Sequence, residues 1–272
     1  MRLTPLFLVM VLAACAQPAQ VTGEAGAAAP TIVSLNPCTD AILAEVTAPG
    51  QLLAISHYSH DPAASSMDME LARQFAVTGG TVEEIIALQP DIVVAGSFLA
   101  PPTRHALDDL GIRVETLGMA ADAQQSIDQV RSLAGTAGQA ARGDQLVSRI
   151  EAALAEAQPS SSAQIPAVLW QPSGIVPGDR TLISDLMRRA GFSSHSAAMG
   201  MGQADYLSLE QMLASPPRVL LIAGQERSQS HPALDRLDGV HRASLDPSML
   251  YCGGPTIIRA SRRLKAIRDE VS

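Results

Sequence analysis

The sequence predicts an α/β protein: two similar lobes with mainly parallel sheets, joined by one long helix. Three observations predict it. First, residues 139–157 (QAARGDQLVSRIEAALAEA) place apolar side chains at Ala140, Ala141, Leu146, Val147, Ile150, Ala153, Leu154 and Ala157. That three-four spacing gives one apolar helix face, and at about 1.5 Å per residue the helix would run roughly 28 Å. Second, a short pattern occurs on both sides of it. Residues Val82–Gly96 and Leu209–Gly224 each read as a short helix, a proline stop, a buried aliphatic strand and a glycine. Third, strand-like and helix-like segments alternate along the chain, which implies parallel sheets with crossover connections, so each lobe reads as Rossmann-like. An ordinary surface helix would explain residues 139–157 alone; their place between two similar halves favours a strut.

Residues 1–15 read as an export signal, with Arg2 as the positive end and Leu6 to Leu12 as the apolar core. That run is too short to span a bilayer. Leu12-Ala13-Ala14-Cys15 resembles a bacterial lipoprotein signal, which implies lipidation of Cys15 as the mature N-terminus. Residues 16–30 hold Ala, Gly, Gln and Pro with the single charge Glu24, so they read as a flexible tether.

The N-terminal lobe is expected over residues 31–134. Thr31–Leu35 is a buried-type strand, and Thr39 or Asp40 is placed to cap the helix after it. Strands follow at Gln51–Ser56, Ile92–Ala95 and Arg113–Leu117, with helices at Glu83–Leu88, Thr103–Leu110 and Asp122–Ala134. Residues 139–157 form the connecting helix, in which Gly143 costs about 1 kcal/mol relative to alanine. The C-terminal lobe is expected over residues 164–272. Its strands are Ala167–Trp170, Val219–Ala223 and Val240–Leu245. Its helices are Leu182–Ala190, Glu210–Leu213, Pro232–Leu237 and Ile257–Val271, with a flexible run over Ala197–Gln203.

Composition narrows function. The chain of 272 residues is 47% hydrophobic with net charge −8, enough for real cores and without the basic run that nucleic-acid binding needs. It has one tryptophan, three tyrosines and four phenylalanines. Phe7 lies in the signal, and Phe75 and Phe192 read as packing residues. Tyr58, Phe98, Trp170 and Tyr251 fall at or just after strand C-terminal ends, and Tyr206 precedes the second repeated helix. Ligands of parallel α/β sheets bind outside those strand ends, and a cleft lined by Tyr and Trp suits a large, flat, partly apolar ligand. Singly, each aromatic is more often a packing residue; the grouping favours a pocket, most for Tyr58, Trp170 and Tyr251.

At these residues the chain resembles a family. Thr31 to Pro37, the Ser56–Pro62 loop and Glu83–Asp91 with Ile92–Val94 are similar to the periplasmic binding proteins of iron-chelate and vitamin B12 ABC importers, over about residues 30–272. The resemblance implies two α/β lobes bridged by one helix, a metal-chelate ligand, no resident cofactor and no catalysis. It implies a monomer that docks on a permease through one surface glutamate per lobe, here Glu83 and Glu210. Many relatives carry an arginine near the position of Pro255; this chain has Gly253-Gly254-Pro255-Thr256. With only Arg180 and Arg227 as marginal cations in the cleft loops, a neutral or aromatic-contacting ligand is favoured over a strongly anionic one.

Metal-ligand residue types occur without zinc-type spacing. His57 and His60 flank Tyr58 and read as loop residues bonded locally, with an axial contact from His57 to a chelated metal as the lesser reading. A Cys38–Cys252 disulfide would have to bridge the lobes, so two free, partly buried thiols are expected. The competing class is an envelope hydrolase or metal-dependent enzyme on the same scaffold, assembled from Ser34, His57, Asp61 and Asp205. No Gly-x-Ser-x-Gly elbow or phosphate-cradling loop supports it.

Overall fold

The structure, a computed structural model, describes residues 29–271. The export signal with Cys15, and most of the tether, lie outside the described residues.

The N-terminal half runs β1 (Ile32–Ser34), α1 (Pro37–Val46), β2 (Leu52–Ser56), α2 (Met69–Ala72), β3 (Val77–Thr78), α3 (Val82–Leu88), β4 (Ile92–Gly96), α4 (Pro101–Asp109) and β5 (Arg113–Leu117). Its sheet has the order β3-β2-β1-β4-β5, all parallel. Two helices follow, α5 (Ala123–Thr136) and α6 (Ala140–Glu156). The C-terminal half runs β6 (Ile165–Trp170), β7 (Ile175–Val176), α7 (Leu182–Arg189), β8 (Phe192–Ser194), α8 (His195–Ala198), β9 (Asp205–Tyr206), α9 (Leu209–Ala214), β10 (Val219–Ile222), β11 (His241–Ser244) and α10 (Thr256–Glu270). Its sheet has the order β11-β10-β6-β8, again parallel, and β7 pairs antiparallel with β9 at its side.

The capping of α1 corrects the expected boundary. Asn36 is the cap, its side chain accepting from the Cys38 amide at 2.9 Å, with Pro37 in the first helical position. Proline fits there because its missing N–H would be unbonded anyway. Asp40 is therefore inside the helix, on its buried face.

The long helix comes with an antiparallel partner. α6 packs on α5, on α10 of the C-terminal half and on α1 of the N-terminal half. A Cβ on Gly143 would stand 2.4 Å from the Ala134 Cβ of α5. The glycine that looked like a propensity cost lets the two helices close on each other.

Side-chain alternation along the strands separates three cores. Ile32, Ile92, Val94, Ala167, Leu169, Val219 and Leu221 point inward, and with α1, α5, α6, α7 and α10 they form one apolar cluster continuous between the two sheets. Val33, Ala54 and Val93 point the other way, under α3 and α4. Val168, Trp170 and Leu220 do the same in the C-terminal half, with Met212 of α9. The repeated segments are thus equivalent in space: α3 and α9 each cover an outer face, and β4 and β10 each lie beside the first strand of their half.

Candidate functional site

Each sheet reverses its strand order beside its first strand, between β1 and β4 and between β6 and β10. Such switch points open a crevice at the strands' C-terminal ends. The first turn of α1, which follows β1, and the loop between β11 and α10 lie at those ends, and they are joined: Cys38 and Cys252 form a disulfide with Cα atoms 4.9 Å apart. This corrects the expectation of two free thiols. Cys38 sits in the first turn of α1 and Cys252 in the loop before α10, so the topology brings together residues that are 214 apart in sequence. The Gly254 amide also donates to Ser126 Oγ of α5 at 2.7 Å. A Cβ at Gly253 would lie 2.0 Å from that oxygen, and one at Gly254 would lie 2.5 Å from Ile42 of α1. Gly253 and Gly254 are thus required by close packing against α5 and α1.

Four of the five aromatics chosen from sequence lie exposed around these ends. Tyr58 is 54% exposed, Phe98 86%, Tyr206 60% and Tyr251 65%. Tyr58 sits on a 3-10 turn, His57–His60, that continues β2, and its ring lies 4.1 Å from that of His57. His57 Nδ1 is 3.3 Å from the Thr78 carbonyl, and His60 Nε2 is 3.0 Å from the Ala72 carbonyl. Tyr251 donates its hydroxyl to Gln171 Oε1 at 2.7 Å, which ties the loop before α10 to the end of β6.

Trp170 is different, and its expected place in the cleft is corrected. It is 1% exposed, in the outer-face core, with its Nε1–H donating to the Leu207 carbonyl at 2.9 Å. The physical reason is strand parity. Trp170 shares a face with Val168 and Leu220, and that face is covered by α9 rather than open to the cleft.

A buried polar network lies under the Tyr58 turn, and sequence reasoning missed it. Asp40 is fully buried; its Oδ2 accepts from the Ser56 amide at 3.0 Å and from Ser59 Oγ at 2.6 Å. Its Oδ1 has no partner among the described residues. Ser34 and Thr39 hydroxyls lie 2.7 Å apart alongside. Burial pushes the Asp40 carboxyl up to about 7, against the pull of its hydrogen bonds. Its position three residues before Leu43, on the buried face of α1, was the available signal. The same network removes the enzyme's proposed nucleophile, because Ser34 is fully buried and its hydroxyl engaged. Among the described residues no group of three or more His, Cys, Asp or Glu could hold a metal ion.

The two candidate docking glutamates occupy matching places but differ in their bonds. A helix that precedes a parallel strand starts at the strands' C-terminal edge, so α3 and α9 both begin on the cleft side. Glu83 is exposed and makes no hydrogen bond or ion pair among the described residues. Its neighbour Glu84 accepts from Thr78 Oγ1 at 2.7 Å and the Gly79 amide at 2.6 Å, which hold its carboxyl below the usual range. Glu210 is exposed too, but its own backbone amide and then the Ser208 hydroxyl lower its carboxyl pKa.

Two cavities lie away from the aromatic rim. One of about 350 Å³ sits among β6, α7 and β8, beside Phe192, Met187 and Arg188. One of about 200 Å³ sits between α1 and α10, beside Ala41, Thr256 and Arg259. No helix among the described residues is long and apolar enough to cross a membrane.

Comparison with solved structures gives close likenesses in fold. The periplasmic haem-binding protein HutB of Vibrio cholerae matches with a TM-score of 0.68 and 16% identity, covering 88% of this chain and 98% of its own. The periplasmic haem-binding protein RhuT from Roseiflexus sp. RS-1, in apo form, matches with a TM-score of 0.67 and 18% identity, covering 88% and 99%. The periplasmic vitamin B12-binding protein BtuF of Vibrio cholerae matches with a TM-score of 0.66 and 18% identity, covering 89% and 98%. No curated protein matches in sequence. The periplasmic binding protein family model matches residues 32–241. That match covers most of both sheets, and the chain accordingly belongs to the periplasmic binding protein family, whose members are extracytoplasmic binding proteins rather than enzymes.

Proposed function

We propose that this chain is a lipid-tethered substrate-binding protein that captures a metal chelate (a corrinoid, a ferric siderophore or haem) and delivers it to an ABC importer. The observation that carries this reading is the set of exposed aromatics, Tyr58, Phe98, Tyr206 and Tyr251, in segments at the strand ends of two parallel sheets, where a disulfide links the two halves. Large exposed aromatics at the edge of a crevice offer flat, partly polar surfaces to a flat ligand. Tyrosine is a known axial ligand of haem iron, and the His57 ring, tilted 35° to that of Tyr58 with centroids 4.1 Å apart, puts an imidazole beside one such phenol. Family membership supports the binding role, and the likeness to haem- and vitamin B12-binding proteins supports the chelate class. Trp170 plays no part in ligand contact here.

In this reading Cys15 carries the lipid, residues 31–134 and 164–272 are the two lobes of a monomer, and residues 139–157 are the link between them. Glu83 and Glu210 dock the lobes on arginines of a two-fold permease. Such pairs set orientation and salt dependence more than raw affinity.

Titration of the purified chain with haemin, cobalamin and a ferric siderophore, followed by absorbance, tests the ligand class. One of the three saturates at one per chain; if none does, the chelate reading is wrong. Reversing both glutamates (Glu83→Arg with Glu210→Arg) leaves chelate binding intact and abolishes uptake. Normal uptake by the double variant reduces both residues to helix-end charges.

A further inference from the structure

The disulfide has a feature that a purely structural crosslink does not need. Cys252 is 6% exposed and Cys38 is half-buried, so Cys38 is the more accessible residue of the pair. Cys38 is also the second residue of the ten-residue helix α1, where its backbone amide is already bonded to the Asn36 cap. Thiolates are stabilised at helix N-termini, and a stabilised reduced form makes a disulfide easier to reduce. Cys252, for its part, directly follows Tyr251, the rim aromatic whose hydroxyl reaches Gln171 at the end of β6. The bond therefore ties Tyr251 to the opposite half of the molecule. Besides the disulfide, the loop is held by the Gly254–Ser126 and Tyr251–Gln171 hydrogen bonds, the packing of Gly253 and Gly254, and the buried Leu250. The two halves themselves do not depend on the bond, because one apolar cluster runs between the sheets.

We propose that the Cys38–Cys252 disulfide is a redox-sensitive strap that positions Tyr251, so that a dithiol loosens the rim and the bound ligand without separating the halves. The reaction is thiol–disulfide exchange. A thiolate of the dithiol attacks Cys38 Sγ, the protein S–S bond breaks, and Cys252 leaves as a thiolate and takes up a proton. The dithiol's second thiolate then attacks the mixed disulfide, closing its own S–S bond and releasing Cys38 as a thiolate. Protein and reductant exchange two electrons and two protons, and no further reactant is needed.

The ligand part of the proposal rests on the chelate-binding reading; the strap does not. The test uses the full chain, oxidised or treated with dithiothreitol without denaturant, and the Cys38→Ser/Cys252→Ser variant as a permanently reduced form. Intact mass reads the bond, far-UV circular dichroism reads the fold, and amide exchange reads residues 249–256. Dithiothreitol reduces the bond in the folded protein, and exchange over that segment rises at least about tenfold while the sheets stay protected. The double-serine variant exchanges in the same way. In both forms haemin, or whichever of the three chelates binds the oxidised chain, dissociates faster. A bond that resists dithiothreitol in the folded state overturns the proposal, as does unchanged exchange in the double-serine variant. Faster exchange in a chain that binds none of the three chelates leaves the strap standing and removes only the chelate reading.

Discussion

Around a central first strand the two halves repeat the same parallel order and fill it with different chemistry. Beneath the strand ends of the N-terminal sheet lie Ser34, Thr39, Asp40, Ser56 and Ser59, a buried hydroxyl cluster around one carboxyl. The equivalent place in the C-terminal sheet holds Trp170 and the amide of Gln229. Gln229 Nε2 donates to the Trp170 carbonyl at 3.0 Å and the Ala223 carbonyl at 3.3 Å, while the nearby Glu226 carboxylate is exposed and accepts from the Ser173 amide at 2.6 Å. One repeat of a fold therefore fixes where a rim stands, while the residues under it decide what that rim responds to. The N-terminal rim rests on a buried carboxyl whose pKa burial raises, and the C-terminal rim rests on a packed indole and a buried neutral amide, with the Glu226 carboxylate left exposed.

Removing the packing gives the largest effect. Trp170→Ala takes a fully buried indole and its hydrogen bond from the outer core, and large-to-small changes of this kind cost about 3–5 kcal/mol. Urea unfolding measures it. A loss below about 1 kcal/mol would return Trp170 to the surface of the cleft.

The pH response comes next. The unfolded Asp40 carboxyl titrates near 3.8 and the folded one near 7. Between those values the folded protein keeps a proton that the unfolded chain has lost. The stabilisation is complete below about pH 4, falls as pH rises, and is gone above about pH 7, a change of roughly 4 kcal/mol. Denaturation from pH 4 to 8, wild type minus Asp40→Asn, isolates it from carboxyls such as Asp185, whose pKa shifts downward. A flat difference curve means that Asp40 is charged in the folded protein.

The seam between the halves gives a smaller effect with an unusual sign. Gly143→Ala improves helix propensity, yet its Cβ meets Ala134 at 2.4 Å, so the α5–α6 contact opens at a cost of about 1–3 kcal/mol. Gly135→Ala, with nothing within 4 Å, gains up to about 1 kcal/mol. Thermal melts of the two variants that shift in the same direction would deny that Gly143 is there for close packing.

Much of this was legible in the sequence. The long helix shows its apolar spacing over many residues, and the repeated units and main strands stand out as aliphatic runs, because both patterns are set by burial. The two- and three-residue strands β3, β7, β8 and β9 carry no such signal; β8 exists because β6 offers an edge to pair with. Tyr58 and Tyr251 could be placed because exposure at a strand end does not depend on parity. Trp170 could not be placed by that rule, because one residue of register decides whether a side chain faces outward or inward. The cysteines could not be paired from their spacing, since the crossovers that bring them together are long-range. Asp40 looked like a helix cap because caps and buried acids use the same residue types, and only the position of Pro37 separates them.

The central claim is that the ligand sits on the exposed aromatics of the rim and not on the buried tryptophan. Quenching of the single tryptophan, Trp170, by a titrated chelate gives the affinity of each variant that keeps it. Tyr58→Ala and Tyr251→Ala each weaken binding by about 1–3 kcal/mol, as expected for losing an aromatic anchor in a pocket, while Trp170→Phe, followed by chelate absorbance, binds with wild-type affinity. Wild-type affinity in both tyrosine variants, or a loss of binding confined to Trp170→Phe, would contradict the account.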